Sequence, residues 1–476
     1  MKTEIQAIVL AGGAGVRLYP LVDQHAPKAT LPIANKPMIH YTLTYLEKNG
    51  FKEAIVVVSG NQQREINQAL KEYRGKISIQ LKSVDSKDTN ENMDSAEALR
   101  AIYDLIYTDF LVISSDLITD VPLLNVLDIH RQHNSSLTLL LKDESNISSS
   151  DSDEIDYFAL TNYERGAIQQ FVDSEQPISA MQRRKKLALK PPRVIMDQVL
   201  DSEDKTLSVP RAFMRRWPNF TLTKGLKDSH LYICAKWIAD LLLQKPEMES
   251  LKHDVIPFLV DSQNLPSDKL DETLSKIVPP FLQTEAYKMS TTDTRPDDLI
   301  RVFAYVVPPH EDKPTTSTSQ KSLKPGLFCK RCNTISSLLY INREIARKNN
   351  VSFFEELAQY KNTPASAAGD SYLLGPDCVV GEGLVFTGLN KKLRPTIKKS
   401  NIGKQCKIGQ ASKIENSVIM DNVTIGDNCV VSNSVVASGV TIESGTKLFG
   451  CQVGPNFEVE VNEYKDEQLT GGDMEL

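Results

Sequence analysis

The sequence lacks the features that mark membrane and secreted proteins. No run of about 18 apolar residues occurs, so no transmembrane helix is predicted. Residues 1–4 lead into a short apolar strand and not into the long apolar region of a signal peptide. The seven cysteines are an odd number, which indicates reduced thiols and a cytosolic protein.

Excess charge is also missing. A formal net charge of −6 over 476 residues argues against a broad nucleic-acid-binding surface. Hydrophobic residues make up 41% and charged residues 24%, as in ordinary globular proteins. The length predicts about two or three domains, each able to bury a core.

The first 141 residues alternate apolar strands with segments of helical spacing. Strand–helix alternation predicts a mostly parallel sheet covered on both faces, with ligands bound at the carboxyl ends of its strands. The predicted strands are 5–10, 54–58, 77–81, 110–114 and 137–141, and the predicted helices are 38–49, 64–73, 96–106 and 121–132.

The C-terminal part contains a repeat of aliphatic residues spaced by six, six and five positions. This spacing predicts three short strands per turn of a triangular parallel β-helix, whose flat faces often serve for association. An earlier coil is predicted around residues 374–381, interrupted by a basic loop at 390–399. The aliphatic positions are Ile402, Ile408, Ile414, Ile419, Ile425, Val431, Val436, Ile442, Leu448 and Val453. Glycines past these positions are predicted at corners that need a positive φ: Gly403, Gly409, Gly426, Gly445 and Gly454.

A glycine-rich turn follows the first strand. Gly12, Gly13 and Gly15 let the backbone turn sharply and direct several N–H groups at an anion. Arg17 and Lys28 follow at distances from which their charges could close over a polyphosphate. We therefore predict a phosphate-binding loop.

The longer string, GGAGVRLYPL at 12–21 with Pro27-Lys28 and Lys36-Pro37, resembles the signature of the sugar-1-phosphate nucleotidyltransferases. The resemblance covers roughly residues 5–345, and residues 373–454 resemble that family's left-handed β-helix of hexapeptide repeats. It implies an α/β fold: a Rossmann-type mixed sheet with helices on both faces, then the β-helix. The implied boundaries are 1–350, 366–460 and an acidic tail at 461–476, with insertions near 145–156, 181–217 and 308–323.

In that family the loop amides and the arginine hold a nucleoside triphosphate, and the lysine contacts its α-phosphate. Arg17 and Lys28 fill those positions, and Asp116 stands at the position of one Mg²⁺ ligand.

Four departures from the family signature weigh against nucleotidyl transfer. Val16 replaces a threonine, and Ser115 replaces a glycine. Gln176 stands where the family has the lysine that binds the sugar phosphate, and Asn333 stands where it has the second metal-binding aspartate, counted back from a tyrosine that opens the closing helix. We therefore predict no catalytic residue, no cofactor and no bound metal, with Asp116 only a remnant ligand position.

Three blocks narrow the family further: VISSDLITDV at 112–121, DSHLY at 228–232 and the tail at 462–476. They resemble one non-catalytic branch, the gamma subunits of eukaryotic translation initiation factor 2B. The resemblance implies a cytosolic subunit of the factor that exchanges GDP for GTP on initiation factor 2. Its implied partners are the epsilon subunit, bound through the β-helix and first domain, then the beta, delta and alpha subunits in a two-fold decamer, and the GTP-binding subunit of initiation factor 2. No direct contact with nucleic acid or membrane is implied.

Two other functions stay open. One is an active sugar-1-phosphate nucleotidyltransferase of the GDP-mannose type, and the other is a sugar-nucleotide-binding regulatory subunit of such an enzyme.

Cys329 and Cys332 have no second cysteine pair nearby for a zinc site, so their spacing is interpreted as coincidental. The coil cysteines are interpreted as small apolar fillers, and His130 and His133 as surface or capping residues.

Overall fold

A computed structural model gives the fold of the chain. It describes residues 5–22, 26–84, 94–144, 154–161, 193–201, 214, 217, 219–265, 269–278, 299–308, 327–346, 373–375, 378–386 and 393–471. Within these ranges no helix has the length and apolarity needed to cross a bilayer.

Before residue 350 the described chain alternates strands with helices, as predicted. The strands are β1 Ile5–Leu10, β2 Pro32–Ile33, β3 Lys36–Pro37, β4 Glu53–Ser59, β5 Ser78–Val84, β6 Asp109–Ser114, β7 Leu117–Thr119, β8 Leu137–Asp143, β9 Glu154–Thr161, β10 Arg193–Asp201, β11 Thr221–Thr223, β12 Leu226–Cys234, β13 Val302–Val307 and β14 Cys329–Arg331. The α-helices are α1 Met38–Lys48, α2 Gln63–Glu72, α3 Ser95–Ala101, α4 Leu123–Gln132, α5 Trp237–Gln244, α6 Ile256–Ser262, α7 Glu272–Ile277 and α8 Ile335–Ala346.

A ten-stranded mixed sheet has the order β11-β9-β10-β13-β8-β12-β6-β1-β4-β5. Strand β1 pairs in parallel with β4 and β6, but β12 lies antiparallel between β6 and β8. The mixed sheet is confirmed. The expectation of a mostly parallel sheet holds around β1 and between β8 and β13, but not where the late strands β12 and β10 enter antiparallel. Consecutive residues Ile8 and Val9 are both fully buried, so both faces of β1 are covered.

Strand β10 lies inside the insertion predicted at 181–217. Strand β10 is nine residues long, pairs antiparallel with β9, and meets β13 through Arg193 and Phe303. The insertion predicted at 145–156 also overlaps the start of β9. Residues 309–323 lie outside the described part of the chain.

The chain forms two compact units whose ranges interleave. Unit 1 is Met1–Leu10, Tyr45–Val58 and Gly75–Cys329. Unit 2 is Ala11–Thr44, Ser59–Arg74 and Lys330–Leu476. The boundary predicted at residue 350 therefore does not separate the two units, since α8 and the loop after β1 cluster with the C-terminal coils.

The C-terminal part forms three parallel sheets of short strands, as the repeat predicts. One sheet contains 373–374, 396–398, 413–415, 430–432, 447–449 and 463–465; the next contains 379–380, 401–402, 418–419, 435–436, 452–453 and 468–469; the third contains 385–386, 407–408, 424–425, 441–442 and 458–459. All ten predicted aliphatics are at most 2% exposed. They stack in register, as Ile402 does on Ile419 and Ile419 on Val436.

The predicted reason for the corner glycines is wrong at most of them. Only Gly445 of the five has a positive φ, at 87°. At Gly409 the constraint is close approach, because a Cβ there would lie 2.4 Å from the carbonyl carbon of Gly426. Asparagine is the most frequent residue at the left-handed corners of the described coils, as at Asn422 and Asn428 with φ of 59° and 57°.

Two more boundaries differ from prediction. Strands continue through Glu463–Lys465 and Gln468–Leu469, so most of the predicted tail at 461–476 belongs to the last coil. Strand Thr396–Lys398 occupies part of the basic loop predicted at 390–399.

Candidate functional site

The predicted phosphate-binding loop is a tight turn that enters two short 3-10 helices. Gly15 caps Val16–Leu18 with φ 69° and ψ 29°, and the amide of Leu18 donates to the Gly15 carbonyl at 2.8 Å. Lys28 begins the second helix, Lys28–Thr30, after Pro27. Arg17 is exposed and Lys28 is half-buried.

The glycines of this loop have different structural roles. A Cβ on Gly15 would lie 3.1 Å from Lys28 Cβ, and the left-handed φ already disfavours a side chain there. The structure therefore brings Gly15 and Lys28 together. Gly13 is exposed, and a Cβ there would meet nothing within 4 Å. Gly12 is buried. The loop's shape requires glycine at position 15, whereas position 13 has room for a side chain.

The remnant metal position lies in the turn after β6. Leu10 and Ser114 are partners in the β1–β6 pair, and the amide of Ser115 donates to the Leu10 carbonyl at 2.9 Å. Ser115 is 4% exposed and Asp116 is fully buried. A serine therefore occupies a closely packed position, and a carboxylate is enclosed next to it.

Gln176 and Asn333 are the departures from the family signature that lie later in the sequence. Gln176 lies outside the described residues. Helix α8 begins at Ile335, so Tyr340 lies in its second turn and does not open it. The count that placed Asn333 at the second metal position therefore has no support. Thr334 instead caps α8: its Oγ1 accepts from the Ser337 amide at 3.1 Å, and its own amide donates to Ser337 Oγ at 3.0 Å.

The block DSHLY forms a β-bulge in β12. Asp228 accepts hydrogen bonds from the amide of His230 at 2.8 Å and from the hydroxyl of Tyr232. His230 has φ 52°, and the register with β8 shifts between Asp228 and Tyr232. The DSHLY block, one of the three on which the family resemblance rests, therefore forms a β-bulge with hydrogen bonds between its own residues.

A buried polar cluster lies beside this bulge within unit 1. Asp120 Oδ1 accepts from the Phe328 amide at 2.6 Å, and burial raises the pKa of Asp120 to about 6. Lys142 Nζ donates to the Pro308 carbonyl at 2.7 Å, and burial lowers its pKa. Cys329 Sγ lies 3.3 Å from Ser229 Oγ, and burial raises the pKa of that thiol. These contacts join Asp120, Lys142 and Ser229 to residues 308, 328 and 329, the last of which ends unit 1.

One buried polar contact of unit 2 was not predicted from the sequence. Asn342 on α8 is 1% exposed, and its Oδ1 accepts from Asn401 Nδ2 at 2.7 Å and from the Ala34 amide at 2.8 Å. Asn35 Nδ2 donates to the Ile402 carbonyl at 2.7 Å. The β2–β3 hairpin, α8 and the coils are therefore joined. An asparagine at position 342, among the apolar positions of α8, was the available signal.

The coil cysteines are buried, as predicted. Cys406 Sγ donates to the Met420 carbonyl at 3.1 Å, and burial raises its pKa to about 11. The interpretation of His130 is wrong: it is 4% exposed, its Nδ1 lies 3.0 Å from Thr138 Oγ1, and burial lowers its pKa to about 4.

Two family models match the chain. A nucleotidyl transferase model matches residues 6–173. A model of the left-handed β-helix (LbH) domain of the eIF2B epsilon subunit matches residues 359–463. The predicted pair of domains, with a left-handed β-helix as the second, is confirmed.

Relatives match across both domains. The chain is 29% identical to translation initiation factor eIF2B subunit gamma of Schizosaccharomyces pombe, over 80% of this chain and 72% of the relative. The Dictyostelium discoideum protein of that name is also 29% identical, over 85% of this chain and 89% of the relative. Mannose-1-phosphate guanylyltransferase 1 of Arabidopsis thaliana is 29% identical over only 29% of this chain and 38% of the relative. The resemblance predicted from the three sequence blocks is confirmed.

Proposed function

We propose that this chain, a translation initiation factor 2B subunit of the gamma type, supports guanine-nucleotide exchange on initiation factor 2 without transferring nucleotides itself. One observation carries the proposal: similarity to gamma subunits spans 80% and 85% of the chain. Similarity to the guanylyltransferase stops at 29% of it. The nucleotidyl transferase model at residues 6–173 supports the ancestry of the first domain, and the long match to gamma subunits supports the function.

The residues of the remnant site support the loss of nucleotidyl transfer. Val16, 72% exposed, offers no hydroxyl beside Arg17, and Ser115 adds a side chain in a closely packed turn. Phosphoryl chemistry depends on positioned donors and on metal ligands, so each missing group lowers transition-state stabilisation. Gly15 and Lys28 preserve the loop's shape, and the loop's remaining role is structural.

The β-helix supports a role in assembly. Its coils match the epsilon-subunit model, and strands of three parallel sheets present flat, ladder-like faces. Exposed apolar side chains on the coils include Val385 at 52% and Val461 at 60%. In this proposal the chain pairs with the epsilon subunit through the β-helix and the first domain. The pair joins alpha, beta and delta subunits in a two-fold decamer in the cytosol and contacts the GTP-binding subunit of initiation factor 2.

Purification of the chain at endogenous levels tests the assembly. A tag on the chromosomal gene, followed by quantitative mass spectrometry, should recover the alpha, beta, delta and epsilon subunits in equal amounts. Recovery of a homo-oligomer alone would overturn the proposal. The reconstituted pair of this chain with epsilon should release labelled GDP from initiation factor 2 faster than epsilon alone.

Two assays address the alternatives. The pure chain, incubated with GTP or UTP, Mg²⁺ and mannose 1-phosphate, should release no pyrophosphate; sustained release would favour the transferase. Calorimetry with GDP-mannose should show no specific binding. Tight binding without turnover would favour the regulatory subunit.

A further inference from the structure

One corner of the β-helix carries a lysine where the next coils carry asparagine. Lys399, Asn416 and Asn433 occupy equivalent corners and have φ of 47°, 50° and 50°. Asn416 Nδ2 donates to Asn433 Oδ1, so the amides stack from coil to coil. Asparagine adopts the left-handed conformation readily, whereas lysine adopts it at a cost. A strained residue that persists at such a position indicates a use for its side chain.

Helix α8 places a second cation at this corner. A cavity of about 260 Å³ lies between α8 and the coils within unit 2. Its lining residues are Arg343, Lys399, Glu415, Asn416, Ser432 and Asn433. The guanidinium of Arg343 lies 5.9 Å from the ring centre of Tyr340. Two cations, amides and a hydroxyl therefore face one space.

The cations of this corner are not neutralised by ion pairs. Across the described part of the chain, no carboxylate oxygen lies within 4.0 Å of the charged groups of Arg343 or Lys399. Arg343 Nε is buried and has no hydrogen-bond acceptor among the described residues. A buried N–H without an acceptor is costly, so an acceptor from outside the chain would be stabilising.

We propose that this cavity binds the phosphate group of a small hydroxylated phosphate monoester. Arginine and lysine together match a doubly charged phosphate, and amide and hydroxyl groups can complete its hydrogen bonds. The cavity is larger than a phosphate ion, which leaves room for the attached group. Glu415 in the lining repels a second anion but accepts hydrogen bonds from hydroxyls. The site is separate from the phosphate-loop residues and does not depend on the proposed function.

Calorimetry of the full chain with glycerol 3-phosphate and with inorganic phosphate tests this site. Lys399→Asn should weaken glycerol 3-phosphate binding by about tenfold or more, because a charge-assisted contact is lost. Its melting temperature should not fall, because asparagine suits the corner's φ. Arg343→Gln should weaken binding similarly, and Glu415→Gln should strengthen inorganic phosphate binding about two- to threefold.

Two variants serve as controls. Lys407→Asn removes an exposed lysine from another sheet of the same β-helix and should leave binding unchanged. Arg17→Gln removes the cation of the phosphate loop and should also leave it unchanged. The proposal is overturned if wild type and Lys399→Asn bind equally, if only Arg17→Gln abolishes binding, or if a phosphoserine peptide binds while glycerol 3-phosphate does not.

Discussion

Asn342 and Asn401 share a hydrogen bond of 2.7 Å between their buried side chains. The same Asn342 oxygen accepts from the amide of Ala34, a residue of the two-residue turn between β2 and β3. Ala34 has a positive φ of 45°, which alanine adopts at a cost. The hydrogen bond from its amide therefore holds a strained turn in place, and one helix residue joins the hairpin to the coils.

Replacing Asn342 with leucine should strongly destabilise unit 2. The side chain keeps its approximate size, but the buried Ala34 amide loses its acceptor, and the Asn401 side-chain amide keeps only the backbone carbonyl of residue 342, at 3.2 Å. One buried group left unsatisfied costs about 1–3 kcal/mol, so we expect a loss of about that size in the free energy of unfolding. Urea denaturation measures it. Asn67→Leu, at an exposed position of α2, is the matched control and should change stability by less than about 0.5 kcal/mol. Equal effects of the two variants would contradict the assigned role.

Because of Asp120, the free energy of unfolding should fall as the pH rises through the pKa that this carboxyl group has in the folded state. Burial raises that pKa from 3.8 to about 6, so the folded state binds the proton more tightly than the unfolded state. Its favourable contribution is complete below pH 3.8 and is lost between there and pH 6.

Asp120→Asn removes this titration and keeps an acceptor for the Phe328 amide. Relative to wild type, the variant should gain about 1.4 kcal/mol between pH 5 and pH 7.5. Urea midpoints of both proteins at the two pH values measure the difference, and the pairing cancels titrations of all other groups. A difference that is independent of pH would show that the carboxylate does not titrate in this range.

Gly409→Ala should disrupt the β-helix. The added methyl would lie 2.4 Å from the carbonyl carbon of Gly426 in the next coil, which is a backbone atom and cannot move aside as a side chain could. Overpacking of this kind costs about 1–3 kcal/mol or more. Thermal melting followed by circular dichroism measures it. Gly13→Ala is the matched control, because its methyl meets nothing within 4 Å and should leave the melting temperature unchanged.

Lys28→Gln should leave exchange intact. If the loop is structural, loss of the ammonium changes neither the contact of Gly15 with the side-chain stem nor the 3-10 helix. The rate of GDP release from initiation factor 2 by the reconstituted complex should stay within about twofold of wild type, since glutamine keeps the part of the side-chain stem that lies against Gly15. A tenfold slower rate would show that the loop still binds an anion needed for exchange.

The β-helix was predicted closely because its sequence constraint is local and repeated. Each inward position, such as Ile408 or Ile425, must be aliphatic, and the strand spacing follows directly. The corner glycines were explained wrongly because sequence does not distinguish a positive φ from a close approach between coils. Strand β10 was missed because a basic segment precedes it and its pairing partners are distant in sequence.

The candidate site was less predictable. The loop residues form a turn as expected, and Gly15 has the positive φ that the motif implies. Asn333 depended on a residue count from Tyr340, and the true start of α8 removes that count. Asn342 carries no motif, because its importance comes from contacts with Ala34 and Asn401, which are remote in the chain.

The interleaved ranges of the two units have a practical consequence for dissecting the protein. No single cleavage of the chain releases either unit whole, because each unit consists of three segments that alternate along the sequence with those of the other. A fragment that ends before Asn401 would leave Asn342 without a partner from the coils and would expose apolar surface of α8. Removal of the coils should therefore lower the solubility of what remains. Deletion experiments on this chain will report misfolding together with any lost contact.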